Sequence, residues 1–262
     1  MKRIILFRFH GALDICANRL AILHRLNPGT RILGLWGGED AGLPEARQAL
    51  GARLEGIWSI PAASSLWKWQ HADLALLRWF RDLGRHLAFD MLHLVEWDLL
   101  LLASLDRIYG EAGREGVALA GLTPLERIQR DWYWTSVEPY ATQWRQLQRH
   151  ARDQYGWQGP AFACQGPANA LSRAFLERYA REPVPELVHD ELRLPLYAQA
   201  LGFELAGLPH IYREIKDPGE MKFFNCEKQP IEERTIRSEL LKPLGRRVFH
   251  PFRNPFQLEW LP

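Results

Sequence analysis

The chain has 262 residues, 47% of them hydrophobic and 24% charged, a composition that excludes disorder, collagen-like repeats and a coiled coil. At this length roughly three quarters of the extended-chain surface is buried on folding, so a sizeable core needs no covalent staples. Lys plus Arg total 33 against 31 for Asp plus Glu, a net charge of +2, which lacks the basic excess of a nucleic-acid binder.

Residues 4–9 form a short apolar run suited to a buried parallel strand. Leu13, Ala17, Leu20, Ala21, Leu23 and Leu26 then recur at helical spacing, and Asn27-Pro28-Gly29 closes that helix. A second strand is predicted over 32–36, stopped by Gly37-Gly38, then a short helix over 43–50 and a third strand over 54–60. An amphipathic helix over 73–83 turns Leu74, Leu77 and Phe80 inward. Residues 91–95 read as the next strand, followed by Glu96-Trp97-Asp98 and an apolar helix over 99–108, with another strand over 117–120. The stretch 121–160 loses this regularity, carries four Trp residues, and reads as an excursion over one end of the sheet. Order returns at 162–164. Gln165-Gly166-Pro167 leads into a helix over 168–180, Pro183 and Pro185 break the chain, and a helix over about 192–201 is closed by Gly202. The expectation is one α/β domain with a mixed, mostly parallel sheet flanked by helices. Residues 1–206 form the body and 207–262 a segment packed on it over the cleft.

The three cysteines, Cys16, Cys164 and Cys226, show no CxxC spacing, which fits reduced thiols in a cytoplasm rather than a disulfide framework or zinc ribbon. The longest apolar run, 99–105, is interrupted by Ser104 and falls far short of the ~20 residues that span a bilayer. The run at 4–7 is too short for a secretory signal. A cytoplasmic protein without a transmembrane segment is expected, with peripheral membrane contact left open. No GxxxxGK[ST], GxSxG or HExxH motif occurs, and Arg8-Phe9-His10-Gly11-Ala12 stands where a dinucleotide-binding GxGxxG would follow the first strand.

The most informative segment is His93-Leu94-Val95-Glu96-Trp97-Asp98. Ligands of open α/β sheets bind outside the carboxyl ends of strands, so Glu96 and Asp98 stand where both can turn to one divalent cation, with Trp97 facing the other way. Hard oxygen ligands suit Mg²⁺ or Mn²⁺. The alternative is that Asp98 caps a following helix.

The acid-x-acid turn after an internal strand resembles the metal-binding signature of GT-A-fold, nucleotide-sugar-dependent glycosyltransferases. Residues 31–38 and the Asn18-Arg19 helix are similar to the N-terminal half of such a domain. Trp67-Lys68-Trp69 followed by Asp73, Leu74 and Trp79 resembles the segment that contacts the nucleotide, and residues 162–172 (FACQGPANALS) the acceptor-side loop. His189-Asp190-Glu191-Leu192 resembles the acidic helix start that supplies the base in inverting members. Val248-Phe249-His250-Pro251 is similar to the late His that completes the metal site. The first acidic position is Glu and the middle one Trp, which departs from the family pattern. The resemblance implies metal-assisted, inverting transfer of a sugar from a nucleotide diphosphate sugar donor to a glycan or other hydroxyl acceptor. It implies Mn²⁺ or Mg²⁺ on Glu96, Asp98 and His250. The rival readings are a sugar-phosphate nucleotidyltransferase, disfavoured by a single Gly11 after the first strand, and a non-catalytic nucleotide- or carbohydrate-binding protein on the same fold.

Read from the residues themselves, Asp190 and Glu191 fall in the first turn of a helix, where backbone N–H groups favour the charged form and suit a general base. The same placement is also a common stabilising device. His250 lies in a basic stretch, 246–253, where arginine forks match diphosphate oxygens and an imidazole can ligate a metal; a solvated basic turn is the other reading. His10, Lys68, Asp73, Trp97 and Arg247 are candidates for the nucleotide-sugar site, and Trp67, Trp69 and Trp97 offer faces that either stack on a sugar or base or fill the core.

Overall fold

The computed structural model describes residues 1–226 and 229–260. The strands, in chain order, are β1 (Arg3–Phe9), β2 (Arg31–Trp36), β3 (Ile57–Ser59), β4 (Met91–Glu96), β5 (Leu100–Leu101), β6 (Gly116–Leu119), β7 (Thr123–Pro124), β8 (Phe162–Ala163), β9 (Ala170–Ser172), β10 (Glu204–Gly207) and β11 (Val248–Phe249). The helices are α1 (Leu13–Leu26), α2 (Leu43–Leu50), α3 (Ser65–Gln70), α4 (Ala72–Asp82), α5 (Leu105–Tyr109), α6 (Tyr133–Ser136), α7 (Tyr140–Tyr155), α8 (Arg173–Tyr179), α9 (Asp190–Ala200) and α10 (Glu233–Leu240). A seven-stranded sheet in the order β10-β6-β9-β4-β1-β2-β3 forms the centre. All its pairings are parallel except those of β9, which runs antiparallel between β4 and β6. This is the mixed, mostly parallel α/β sheet that the pattern predicts. No described helix is long and apolar enough to cross a membrane.

The central strands are hydrophobic on both faces because helices cover both. Ile4, Ile5, Leu6 and Phe7 are fully buried, as are Leu92 and Val95. Gly38 marks a close approach after β2, where an added Cβ would lie 2.4 Å from the Trp36 ring. A second apolar cluster joins Ile22, Leu100, Leu102, Ile231, Ile236, Phe249, Phe252 and Phe256. It seats the C-terminal segment on α1 and β5, where β11 pairs antiparallel with β5. Polar straps reinforce it. Arg19 donates to the carbonyls of Phe252 (2.6 Å) and Asn254 (2.9 Å), and Asn18 exchanges two 2.9 Å bonds with the Phe256 backbone.

Three stretches differ from their expected form. The helix predicted over 99–108 is β5 plus the short α5, because Leu100 and Leu101 take β11 as partner and Ser104 caps α5 by accepting from Arg107 N–H (3.3 Å). The helix predicted over 168–180 begins as β9 and becomes α8 only after Ser172, whose hydroxyl accepts from Phe175 N–H (3.2 Å). The irregular stretch 121–160 contains α7, a 16-residue helix whose buried stripe is Ala141, Trp144, Leu147 and Ala151.

Candidate active site

A cleft of about 1300 Å³ opens beyond the carboxyl ends of β1, β2 and β4, where open α/β sheets hold their ligands. Glu96 is the last residue of β4, in register with Arg8 of β1, and the two form an ion pair. Asp98 sits within the tight turn that Leu99 N–H closes onto the Glu96 carbonyl (3.0 Å), with no helix behind it to cap. It is buried, with Oδ1 3.4 Å from His250 Nε2 and Oδ2 3.1 Å from Arg253 Nε. Burial opposes its charge, but His250 and then Arg253 hold the carboxyl down at about 2. His250 Nδ1 lies 2.8 Å from the Asn225 carbonyl. A carbonyl only accepts, so Nδ1 carries the proton and Nε2 faces the carboxylates. One atom each from Glu96, Asp98 and His250 lies within 4.8 Å of the others. Two hard oxygens and an imidazole nitrogen oriented by an outer carbonyl are a donor set that fits a divalent cation. Trp97, between the two acids, lines the same cleft and packs edge-on against His10 (5.3 Å), with the Arg253 guanidinium 5.8 Å from its ring centre.

The second group sits at the start of α9. Val188 holds φ at 52°, a left-handed conformation that is costly for a β-branched residue. It is kept there by Gln143, which accepts from its N–H (2.8 Å), and by Arg193, which donates to the carbonyls of Leu187 (2.7 Å) and Val188 (3.0 Å). The twist delivers His189, Asp190 and Glu191 to the cleft. His189 stacks on Trp134, ring centres 4.1 Å apart and planes 12° apart, and its Nδ1 is 2.8 Å from Asp190 Oδ1. Burial works against the imidazolium, but Asp190 and Glu191 raise the His189 pKa above its ordinary value. Burial likewise opposes the Asp190 carboxylate, and His189, with help from Arg8 and Arg193, holds its pKa below the ordinary range. Glu191 goes the other way. Burial pushes it up to about 7, against His189 and with Asp190. Its Oε2 accepts from Trp134 Nε1 (2.9 Å) and its Oε1 from Gly166 N–H (3.3 Å). His189 and the two arginines therefore keep Asp190 charged, whereas for Glu191 desolvation prevails.

No family model matches the chain, and no curated protein matches it. Among solved structures it is similar to the galactosyltransferase LgtC in complex with donor and acceptor sugar analogues. The two share 11% identity and a TM-score of 0.42, with 78% of this chain and 72% of that one covered. An active-site mutant of LgtC aligns at 12% identity and a TM-score of 0.41 over the same shares.

Of the residues singled out in the sequence, His10, Lys68, Glu96, Trp97, Asp98, Asp190, Glu191 and His250 line the one cleft. Lys68 is itself buried and donates to the Gly38 carbonyl (2.8 Å), with Asp40 at 3.3 Å, so it braces the loop after β2. Asp73 lies elsewhere. Both its oxygens face the Arg193 guanidinium and one accepts from Tyr179 Oη (2.7 Å). Arg247 is also outside the cleft lining and donates to the carbonyls of Glu239 and Lys242 (both 2.9 Å). Arg246 pairs with Glu220 at 2.6 Å, so of the three arginines in the basic stretch only Arg253 joins His250 at the cleft. Trp67 stacks under Arg78 (4.8 Å) and donates to Glu186 (3.0 Å). Sequence reasoning missed Arg8, Trp134 and His189. Arg8 had one readable signal, a charge at the end of an otherwise apolar strand. Cys16 and Cys164 are buried, and burial pushes the Cys16 thiol up to about 12, so neither supplies a nucleophile.

Proposed function

We propose that this protein is a GT-A-type glycosyltransferase that moves a sugar from a nucleoside diphosphate sugar to a hydroxyl acceptor, with Mn²⁺ or Mg²⁺ on Glu96, Asp98 and His250. The supporting observation is the pairing, in one cleft, of a hard-ligand cluster with a buried carboxyl that titrates near neutrality. The Gly166 backbone borders both groups. Its N–H donates to Glu191, and a Cβ there would lie 3.6 Å from Glu96 Oε1. When bound, the cation supplies positive charge that neutralises a departing nucleoside diphosphate. Glu191 accepts the proton of the acceptor hydroxyl as that oxygen attacks the anomeric carbon, which inverts the configuration. A base with a pKa near the working pH is best matched to this transfer. The Trp134 indole and the Gly166 amide hold the carboxylate in place, so no reorganisation accompanies the step.

Melting curves against UDP, GDP, CDP and ADP, each with Mn²⁺, Mg²⁺ or EDTA, test the donor site. One nucleotide is expected to raise the melting temperature by roughly 5–10 °C at a hundredfold excess over Kd, and EDTA to abolish the rise. Asp98→Asn, nearly the same shape, is expected to abolish the metal-dependent rise as well. A variant that binds nucleotide as tightly as the parent removes Asp98 from the metal site. No shift with any nucleotide overturns the transferase reading.

A further inference from the structure

The cleft has a second end, chemically unlike the first. Its wall there is built from Trp69 of α3, Tyr133 and Trp134 of α6, and Tyr140 opening α7. The rings form a continuous surface: Trp69 to Trp134 at 5.8 Å, Trp134 to Tyr133 at 5.0 Å, Tyr133 to Tyr140 at 5.3 Å. Two of them are not core residues. Trp69 is 51% exposed and Tyr133 52%, with Leu66 beside them at 59%, whereas Trp134 beneath is 7% exposed. Large aromatic faces left open side by side in a cleft mark a place where a ligand is to be covered.

The position and the polar groups around this wall say which ligand. Trp134 joins the wall directly to Glu191 through its 2.9 Å hydrogen bond, so whatever lies on Trp69 and Tyr133 presents its near end to that carboxyl. Polar groups are set among the rings. Gln70 Nε2 donates to Tyr140 Oη (2.9 Å), and Asp190 and Glu191 lie at the foot of the wall. An alkyl chain here would desolvate these groups without replacing their hydrogen bonds, which is costly. A sugar ring does not, because it offers a flat C–H face to an aromatic ring and hydroxyls at its edge. Of the carboxylates that line the cleft, Asp190 and Glu191 stand nearest this wall and disfavour an anionic sugar on it.

We infer that the Trp69–Tyr133 wall is an acceptor subsite for an uncharged saccharide, stacked by its apolar face with one hydroxyl directed at Glu191. This rests on the transferase reading above and narrows its acceptor to a glycan, in preference to a lipid alcohol or a peptide hydroxyl.

Tryptophan-fluorescence titration of the whole protein tests it, using lactose, cellobiose and maltose as probes in the presence of the nucleoside diphosphate that raises the melting temperature. At least one disaccharide is expected to bind, with Trp69→Ala weakening it roughly tenfold and Trp69→Phe restoring most of the loss. Melting curves of both variants serve as the check on folding, and Tyr133→Ala, a second exposed position, is expected to weaken binding in the same direction. If no disaccharide binds, or Trp69→Ala and Tyr133→Ala bind as the parent does, the subsite is overturned. Binding of octanoate in preference to every sugar overturns the saccharide class. The nucleotide melting curves are independent of these outcomes, so a failed subsite with an intact nucleotide shift leaves the transferase reading in place.

Discussion

Glu191→Gln is expected to lower glycosyl transfer by about 10²–10⁴-fold while nucleoside diphosphate binding persists and the protein becomes more heat-stable above pH 7. The two effects share one cause. Glu191 is buried and its carboxyl is pushed up to about 7 from an ordinary 4.5. Between those values the folded state binds more protons than the unfolded state, so stability falls as pH rises through the window. Two and a half pH units correspond to about 3 kcal/mol. Gln cannot ionise and keeps an oxygen for Trp134 or Gly166, so its stability does not carry this loss. The raised pKa of His189 acts in the same direction in the parent: its contribution is full below the ordinary value of 6.5 and fades as pH rises through the folded value. Parent and variant must therefore be compared at each pH. Melting curves at pH 5 and pH 8 check the idea, with a larger Gln advantage at pH 8. Parallel curves would remove the buried acid, and a fully active Gln variant would remove the base.

The same carboxyl ties the pH–rate profile to Trp134. Transfer is expected to rise with pH along a limb centred near 7 as Glu191 loses its proton. Trp134→Phe deletes the indole donor that favours the carboxylate, which is worth roughly one pH unit for a hydrogen bond to a charged group. The limb should move upward, and activity lost at pH 7 should return at higher pH. A uniform loss at every pH would mean that Trp134 serves only as packing.

Arg193→Met is expected to lower stability by about 3–5 kcal/mol, the cost of leaving one member of a buried ion pair alone, or roughly 6–20 °C in melting temperature. Arg193 and Asp73 are 0% and 2% exposed at their side chains. Without the guanidinium, Asp73 keeps only Tyr179 as a partner among the hydrogen bonds described. The double variant Asp73→Leu with Arg193→Met is expected to recover much of the stability, since no lone charge remains. Transfer should not recover with it. Arg193 also donates to the carbonyls of Leu187 and Val188, and no apolar side chain can hold that left-handed turn in place. Melting curves and a transfer assay on the parent and the two variants separate the two roles. Joint recovery of stability and activity would mean that Gln143 is enough to hold the turn.

The alternation from β1 to α2 is legible in the sequence because each element there carries its own period and its own stop signal, as with Asn27-Pro28-Gly29 after α1. β9 is not legible. Three residues have no period, and Ala170–Ser172 is a strand only because β4 and β6 flank it. α7 is hard to see for the opposite reason, since its apolar stripe is narrow in a polar run. In the site, Glu96 and Asp98 are readable as strand-end acids, and the structure brings His250 to them across more than 150 residues. Asp73 looked like a ligand because a first-turn acid carries no mark of a partner 120 positions away. The Trp134–His189 stack is equally hidden, because it is created by α6 packing on the start of α9.

The straps from Asn18 and Arg19 to the C-terminal segment have a consequence for assembly. Two of the clustered ligand atoms lie at the end of β4 and the third on a segment anchored to α1, so the trio exists only after that segment has docked. A nascent chain therefore has no complete cluster until position 250 has left the ribosome and found α1. Any cation held there then acts as a clasp between sequence-distant parts of the chain, and its binding free energy is added to the docking of the segment. Loosening the clasp and emptying the site become the same event, so the grip of the segment on α1 sets how readily the protein gives up its ion.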